Sequence, residues 1–335
     1  MKTLYLDIFS GISGDMFIGA LLDLGVDFHK LEHELEKLGV EGYHLHQRRA
    51  SKSSIEGVKF DVHLEDDHHH HGHGHDHDHG PEGHHHHDEH GHHDHDHDHH
   101  HHGHHHHEDE HDHGHEHEHG RSFAEIRDLI NGSKLSPWVK DKAIGVFTRI
   151  ARAEGKIHGM SAEQVHFHEV GAVDSIVDVV GACIGLEMLG KPRVLANTVV
   201  EGTGFIECAH GRFPIPAPAT LNILGDAKIA LSQCDEPHEL VTPTGAALLA
   251  EFAEGFGAMR ALVAEKVGFG LGTRDNKTRP NVLRAVLGQM REASANDWEI
   301  DTIISLETNL DDCVPEVLGR FVERALERGA LDVFY

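Results

Sequence analysis

The stretch Leu4-Tyr5-Leu6-Asp7-Ile8-Phe9-Ser10-Gly11-Ile12-Ser13-Gly14-Asp15-Met16-Phe17-Ile18-Gly19-Ala20-Leu21-Leu22-Asp23-Leu24-Gly25 decides the architecture. Leu4 to Phe9 is a short apolar run of the kind that forms a buried strand. Phe17, Ala20, Leu21 and Leu24 repeat at helical spacing, and Gly25 stops the helix. Strand, glycine turn and helix place free backbone N–H groups at Ser10, Gly11, Ser13 and Gly14. Those residues are candidates for binding an anionic cofactor, and the flanking carboxylates Asp7 and Asp15 are candidates for holding a hydrated cation. A tight structural turn explains the glycines equally well, and no Gly-Lys-Ser/Thr follows to make a Walker loop.

Outward from this unit the chain alternates element types. A helix is expected from His29 to Leu38, strands over Tyr43–Arg49 and Ile55–Leu64, and helices over Phe123–Ile130 and from Ser136, with Pro137 at the first helical position, to Glu154. A strand and turn from Val165 lead into a helix Val173–Leu189. Helices near Ala217–Leu224 and Pro243–Phe252 then alternate with short strands, and strands follow near Arg260–Gly268 and Val282–Gln289. The fold class is mixed α/β (α+β). The first domain is expected to be built from residues 1–67 and 120–291. The polar linker Glu292–Trp298 precedes a segment, 299–335, that begins with an expected strand Ile300–Leu306 and helix Pro315–Arg328. One strand and one helix cannot bury themselves, so this segment is expected to be the start of an incomplete C-terminal α+β domain.

Residues 68–119 are unlike the rest. They hold 30 of the 40 histidines, interleaved with Asp, Glu and Gly, and are expected to be a disordered insertion because they carry almost no apolar surface to offset ordering entropy. Imidazole ligates nickel, zinc and copper, so His68, His84, His100 and His104 stand for a set of many equivalent ligands, a reservoir of exchanging metal rather than one fixed site. Of the 57 acidic residues, 17 lie between Glu65 and His119, so the formal charge of -28 falls to about -11 for the remainder. No basic patch supports nucleic-acid or anionic-lipid binding. Four widely spaced cysteines without a CxxC pair, a start lacking signal-peptide character and no apolar run of membrane-spanning length give the expectation of a reduced, cytoplasmic protein.

A second constellation is Val165-His166-Phe167-His168-Glu169-Val170-Gly171-Ala172-Val173-Asp174-Ser175-Ile176-Val177-Asp178. On a strand His166 and His168 share a face, and on the following helix Asp174 and Asp178 lie at i and i+4. These four can hold one metal or place a base beside it; a capped helix start with two surface histidines is the alternative. Three further loops, Glu201–Gly204 running on to Cys208-Ala209-His210-Gly211, Thr242-Pro243-Thr244-Gly245 and Gly268–Asp275, are candidates for lining a phosphate site. Thr242, Thr244 and Gly245 also read as a helix cap, and the GxGxG run precedes no helix, which argues against a dinucleotide fingerprint. Glu307-Thr308-Asn309-Leu310-Asp311-Asp312 carries acids suited to Mg or Mn.

On the segment Leu6–Met16, the His-rich insertion, Val165–Ile176, Ala209-His210-Gly211, Thr242–Gly245 and Asn309–Asp312, the chain resembles the LarC family of nickel-insertion proteins across essentially its whole length. The resemblance implies a lyase-type nickel chelatase, or cyclometallase. It would insert Ni(II) into pyridinium bisthiocarboxylic acid mononucleotide, using CTP with Mn(II) or Mg(II), and supply a nickel-pincer cofactor to lactate racemase or a related apo-enzyme. Two Ni–S bonds and one Ni–C bond form, and the Ni–C bond requires loss of a ring proton. A base must therefore stand near a positioned metal. His166, His168, Glu169 and His210 are the candidate catalytic residues, with Asp174 and Glu169 as ligand or orienter. Members of the family continue past the position of Tyr335, so a separate chain carrying the C-terminal domain is an expected partner. The competing readings are a nickel store or metallochaperone without chemistry of its own and, without a recognised nucleophile, a metal-dependent hydrolase.

Overall fold

The computed structural model describes residues 2–65, 121–167, 170–208, 211–291 and 303–335. The chain divides into two units, 1–291 and 292–335.

In the first unit the elements run β1 (Lys2–Asp7), α1 (Gly14–Asp23), α2 (Phe28–Glu36), β2 (Tyr43–Lys52), β3 (Ile55–Leu64), α3 (Phe123–Gly132), α4 (Pro137–His158), α5 (Val173–Met188), β4 (Arg193–Ala196), β5 (Val199–Glu201), β6 (Phe205–Cys208), β7 (Gly211–Pro214), α6 (Pro218–Asp226), β8 (Leu231–Gln233), α7 (Pro243–Phe252), β9 (Ala253–Phe256), β10 (Leu262–Leu271) and β11 (Val282–Met290). Seven strands form one mixed sheet in the order β2-β3-β10-β11-β1-β4-β9. β1 is parallel to β4 and antiparallel to β11. Two small pairs, β5–β8 and β6–β7, stand apart from it.

The mixed α/β class expected from the sequence is what forms. α1 lies on β3, β10 and β11, while α4 packs on α5, α6 and α7 as a further helical layer. α4 shows why a sequence of modest hydrophobicity makes a long helix. Ser136 caps it by accepting from the Val139 N–H at 3.2 Å, Pro137 occupies its first turn, and Gly159 ends it in the left-handed conformation. Its buried face, Val139, Ala143, Val146, Phe147, Ile150 and Ala151, recurs at three- and four-residue intervals. Each of the large members contributes about 1.5–3 kcal/mol by leaving water.

The glycine run entered in the sequence as a possible phosphate loop forms part of β10 and has a packing reason. A Cβ on Gly270 would stand 1.8 Å from the Met16 carbonyl oxygen, and one on Gly268 would stand 2.7 Å from that of Ala20. Only glycine lets the α1 backbone lie directly on the strand.

In the second unit α8 (Pro315–Glu327) forms as expected. Residues 303–306 take no regular structure, in contrast to the strand expected from Ile300 to Leu306. No described residue of α8 is buried, and Val317 and Phe321 are exposed. No described helix is long and apolar enough to cross a membrane.

Candidate functional site

The β1–α1 turn is held by a second loop. The Ile12 N–H donates to the Leu240 carbonyl at 2.9 Å and the Thr242 N–H donates to the Ile12 carbonyl at 3.2 Å, so the two loops most prominent in the sequence, Ser10–Gly14 and Thr242–Gly245, lie backbone to backbone. Gly11, at φ +82°, allows this approach, since its Cβ would fall 1.9 Å from the Leu240 oxygen. Gly245 does the same from the other side, with Ile12 oxygen 2.1 Å from the place of a Cβ. Thr242 is the N-cap of α7, its hydroxyl accepting from the Gly245 N–H at 3.1 Å and lying 2.8 Å from the Thr244 hydroxyl. Ser10 is buried and accepts from Asn276 Nδ2 at 3.0 Å, and Arg279 donates to the Phe9 carbonyl at 2.7 Å.

Two buried carboxylates fix this loop cluster: Glu201, read in the sequence only as the start of a candidate phosphate loop, and Glu236, which was not singled out. Glu201 accepts from the N–H groups of Gly202, Leu240 and Val241. Burial pushes its carboxyl up to about 6 even though those three donors oppose the shift. Glu236 accepts from the Lys277 and Thr278 backbones and the Thr278 hydroxyl. Burial raises its carboxyl, but the bonds from Thr278 and Lys277 outweigh this and hold it below the usual range. The signal available in the sequence was a lone Glu beside glycine or proline in a strand-to-loop segment, which carries no periodicity.

The expected acidic ligands divide. Asp7 faces away from Leu4 and Leu6 and is paired with Arg284, its register partner on β11, while accepting from Asn197 Nδ2 at 2.7 Å. Asp15, in the first turn of α1, accepts from the Ser13 hydroxyl and from Lys59 Nζ, the latter at 2.7 Å. Lys59 also reaches Asp61 at 2.8 Å and is only 5% exposed. Burial alone would depress its ammonium, but Asp15 and Asp61 outweigh that and raise it above its ordinary value.

Asp178 lies beneath Gly14, where any Cβ would stand 2.7 Å from the Asp178 Cβ, and its Oδ1 is buried without a hydrogen-bond partner. Burial first, then the charges of Asp15 and Asp174, push its carboxyl well up, with Lys59 opposing. Asp174 is exposed, its carboxylate accepting from the Ser175 N–H at 2.7 Å. Asp15, Asp61 and Asp178 are thus gathered around a lysine. Among the described residues no three His, Cys, Asp or Glu side chains converge to hold a metal ion. Hard oxygen donors suit Mn(II) or Mg(II), but here the Lys59 ammonium takes the place of the cation.

His166 is exposed between Val165 and Phe167, which are buried, and makes a single antiparallel bridge to Ser122 where a strand was expected. Around that bridge the chain returning from the His-rich insertion is stitched to the motif. The Phe123 N–H donates to the Val165 carbonyl at 3.0 Å and the Phe167 N–H to the Arg121 carbonyl at 3.2 Å. His168, Glu169, His210, His68, His84, His100 and His104 lie outside the described residues. Their described neighbours do meet: Phe167 and Val170, Cys208 and Phe213, and Pro243 line one groove with Pro218 and Glu154. Phe167 and Val170, Cys208 and Pro243, far apart in the sequence, thus share one groove.

Sheet, loop cluster and groove define an α/β protein that presents an apolar groove among the loops at the start of α5, α6 and α7. Within that class the chain belongs to the nickel insertion protein family, whose profile covers residues 4–335. It is 43% identical over its full length to a pyridinium-3,5-bisthiocarboxylic acid mononucleotide nickel insertion protein of Lactiplantibacillus plantarum, 73% of which is covered. Proteins of the same name from Geobacillus kaustophilus and Desulfitobacterium hafniense are 40% and 38% identical, again over the full chain, with 72% and 70% of their lengths covered. No solved structure is significantly similar to the chain.

Proposed function

We propose that this chain inserts Ni(II), as a substrate, into pyridinium-3,5-bisthiocarboxylic acid mononucleotide, the molecule in the names of its relatives. The observation that carries the reading is their similarity over the full length of this chain, which takes in both the groove and the loops that border it. The two thiocarboxylate sulfurs capture nickel, and a base takes the ring proton as the Ni–C bond forms. His166, His168 and His210 are the candidates for that base, and Glu169 and Asp174 for ligand or orienter. Dependence on CTP with Mn(II) or Mg(II) and delivery of the product to lactate racemase or a related apo-enzyme are what the family resemblance implies, and a cytoplasmic setting is what the cysteine usage implies.

The test is anaerobic incubation of the chain with Ni(II) and the mononucleotide, with and without CTP and Mn(II), followed by mass spectrometry of the small molecule. A nickel adduct lacking the displaced protons supports insertion. No adduct under any condition, including a C-terminal domain supplied in trans, overturns it. A second reading, nickel storage or metallochaperone activity alone, is favoured by the 30 histidines of residues 68–119. Deleting 68–119 lowers nickel capacity under both readings, but at saturating nickel it leaves adduct formation intact only for an insertase.

A further inference from the structure

The groove beside the His166–Val170 segment is walled by carbon. Phe167 and Val170 come from the segment before α5, Phe213 from β7, Pro218 from the first turn of α6 and Pro243 from the first turn of α7. Phe213 is half-buried, so its ring is both fixed by neighbours and open to a ligand. The two prolines remove N–H groups from the wall, which leaves it without backbone donors at those points. A slot between flat, rigid, apolar groups fits a planar aromatic ring better than a phosphate or sugar. Among the described residues of its lining one is charged, Glu154 on α4, which is 20% exposed and 3.3 Å from His158. A carboxylate beside an apolar slot favours a ring that is itself cationic.

Resting on the function proposed above, we infer that this groove is the seat of the substrate's pyridinium ring. Phe213 supplies an open face, the buried Phe167 and Val170 its floor, and Glu154 acts as the counter-charge that separates a pyridinium from a neutral ring. The arrangement would bring the ring beside Val170 and Cys208.

The experiment measures, by calorimetry on the full chain, binding of the bisthiocarboxylated pyridinium mononucleotide and of its ring-reduced, uncharged dihydropyridine form, without nickel. Phe213→Ala removes a wall, Ala217→Met fills the rim from the N-cap of α6, and Phe205→Ala serves as a control. Phe205 is on the same β6–β7 hairpin but exposed and stacked on Arg212, 4.5 Å from its ring centre. The expected result is at least tenfold weaker mononucleotide binding for Phe213→Ala and Ala217→Met, with melting temperatures and nickel capacity unchanged and with Phe205→Ala like wild type. Glu154→Gln is expected to lose several-fold affinity for the cationic ring and none for the reduced one. If wild type binds the mononucleotide and both groove variants bind it within twofold, the groove is not the ring site, while the insertion reading stands. If Phe213→Ala does not fold, Ala217→Met decides alone. If wild type binds no mononucleotide and forms no adduct, both proposals fall.

Discussion

Replacing Lys59 by Met tests the charge arrangement beneath the β1–α1 loop. The ammonium contacts Asp15 at 2.7 Å and Asp61 at 2.8 Å; it is 5% exposed, while the two carboxylates are 25% and 28% exposed. Removing one partner of a fully buried ion pair costs about 3–5 kcal/mol, and because these carboxylates keep some water the lower end, about 3 kcal/mol, applies. Methionine keeps the volume, so cavity formation adds little.

The sign of the pH dependence follows from the groups left behind. Lys59 is raised above its ordinary 10.5, so its contribution is complete through the neutral range and disappears only when pH climbs past that raised value. In the variant Asp178 loses the one charge that opposes its upward shift, so the carboxyl cluster takes up a proton more readily. A carboxyl raised in the folded state returns stability as pH falls toward the ordinary carboxylate range. The deficit should therefore narrow by about 1.4 kcal/mol for each unit by which the cluster's proton affinity rises. Urea unfolding of both proteins at pH 8 and pH 5 measures it. A deficit below about 1 kcal/mol at pH 8, or one that is the same at both values, refutes the reasoning.

Three further outcomes are expected. Asp178→Asn should stabilise the protein by on the order of 1 kcal/mol at pH 8, because a buried charge with an unpartnered oxygen is removed; the gain should vanish near pH 4, where Asp178 is protonated anyway, and a loss at pH 8 would contradict the assignment. Gly11→Ala should cost about 2 kcal/mol or more from left-handed backbone strain and the collision with Leu240, read as a fall in urea midpoint. The Glu201 carboxyl should titrate near 6 by carbon NMR, and since that is above its ordinary 4.5 it should return up to about 2 kcal/mol of stability as pH falls between those values; a midpoint at or below 4.5 would show that the three N–H donors win over burial.

What the sequence made legible was local. The Leu4–Phe9 run, the Gly25 stop, the Ser136–Pro137 start and the Thr242–Pro243 cap each act within one turn or strand, and each forms the element expected. What stayed hidden depends on which surfaces meet. Lys59 sits mid-strand in β3 and looks like a solvated lysine until α1 covers it, and Glu201 becomes a clamp only when residues 240–241 are folded over it. The Gly268–Gly272 run was ambiguous for a related reason: glycine admits a phosphate and a helix backbone with equal ease, and only the position of α1 distinguishes them. Asp7 and Asp15, eight residues apart, looked like one ligand pair. Strand alternation sends Asp7 to Arg284, while Asp15 opens α1.

On the proposed function, the stitching of Arg121–Phe123 onto Val165–Phe167 bears on the kinetic order of metal transfer. Residues 68–119, proposed to carry nickel, belong to the same covalent molecule as the groove, and the chain re-enters the described structure beside Phe167 on the groove's wall. Handover is then a first-order event whose rate per molecule is indifferent to dilution, whereas a separate carrier slows in proportion as it is diluted. A cell holding few copies of this protein would lose no speed in the transfer step, and a competing chelator would have to act during uptake rather than between donor and acceptor.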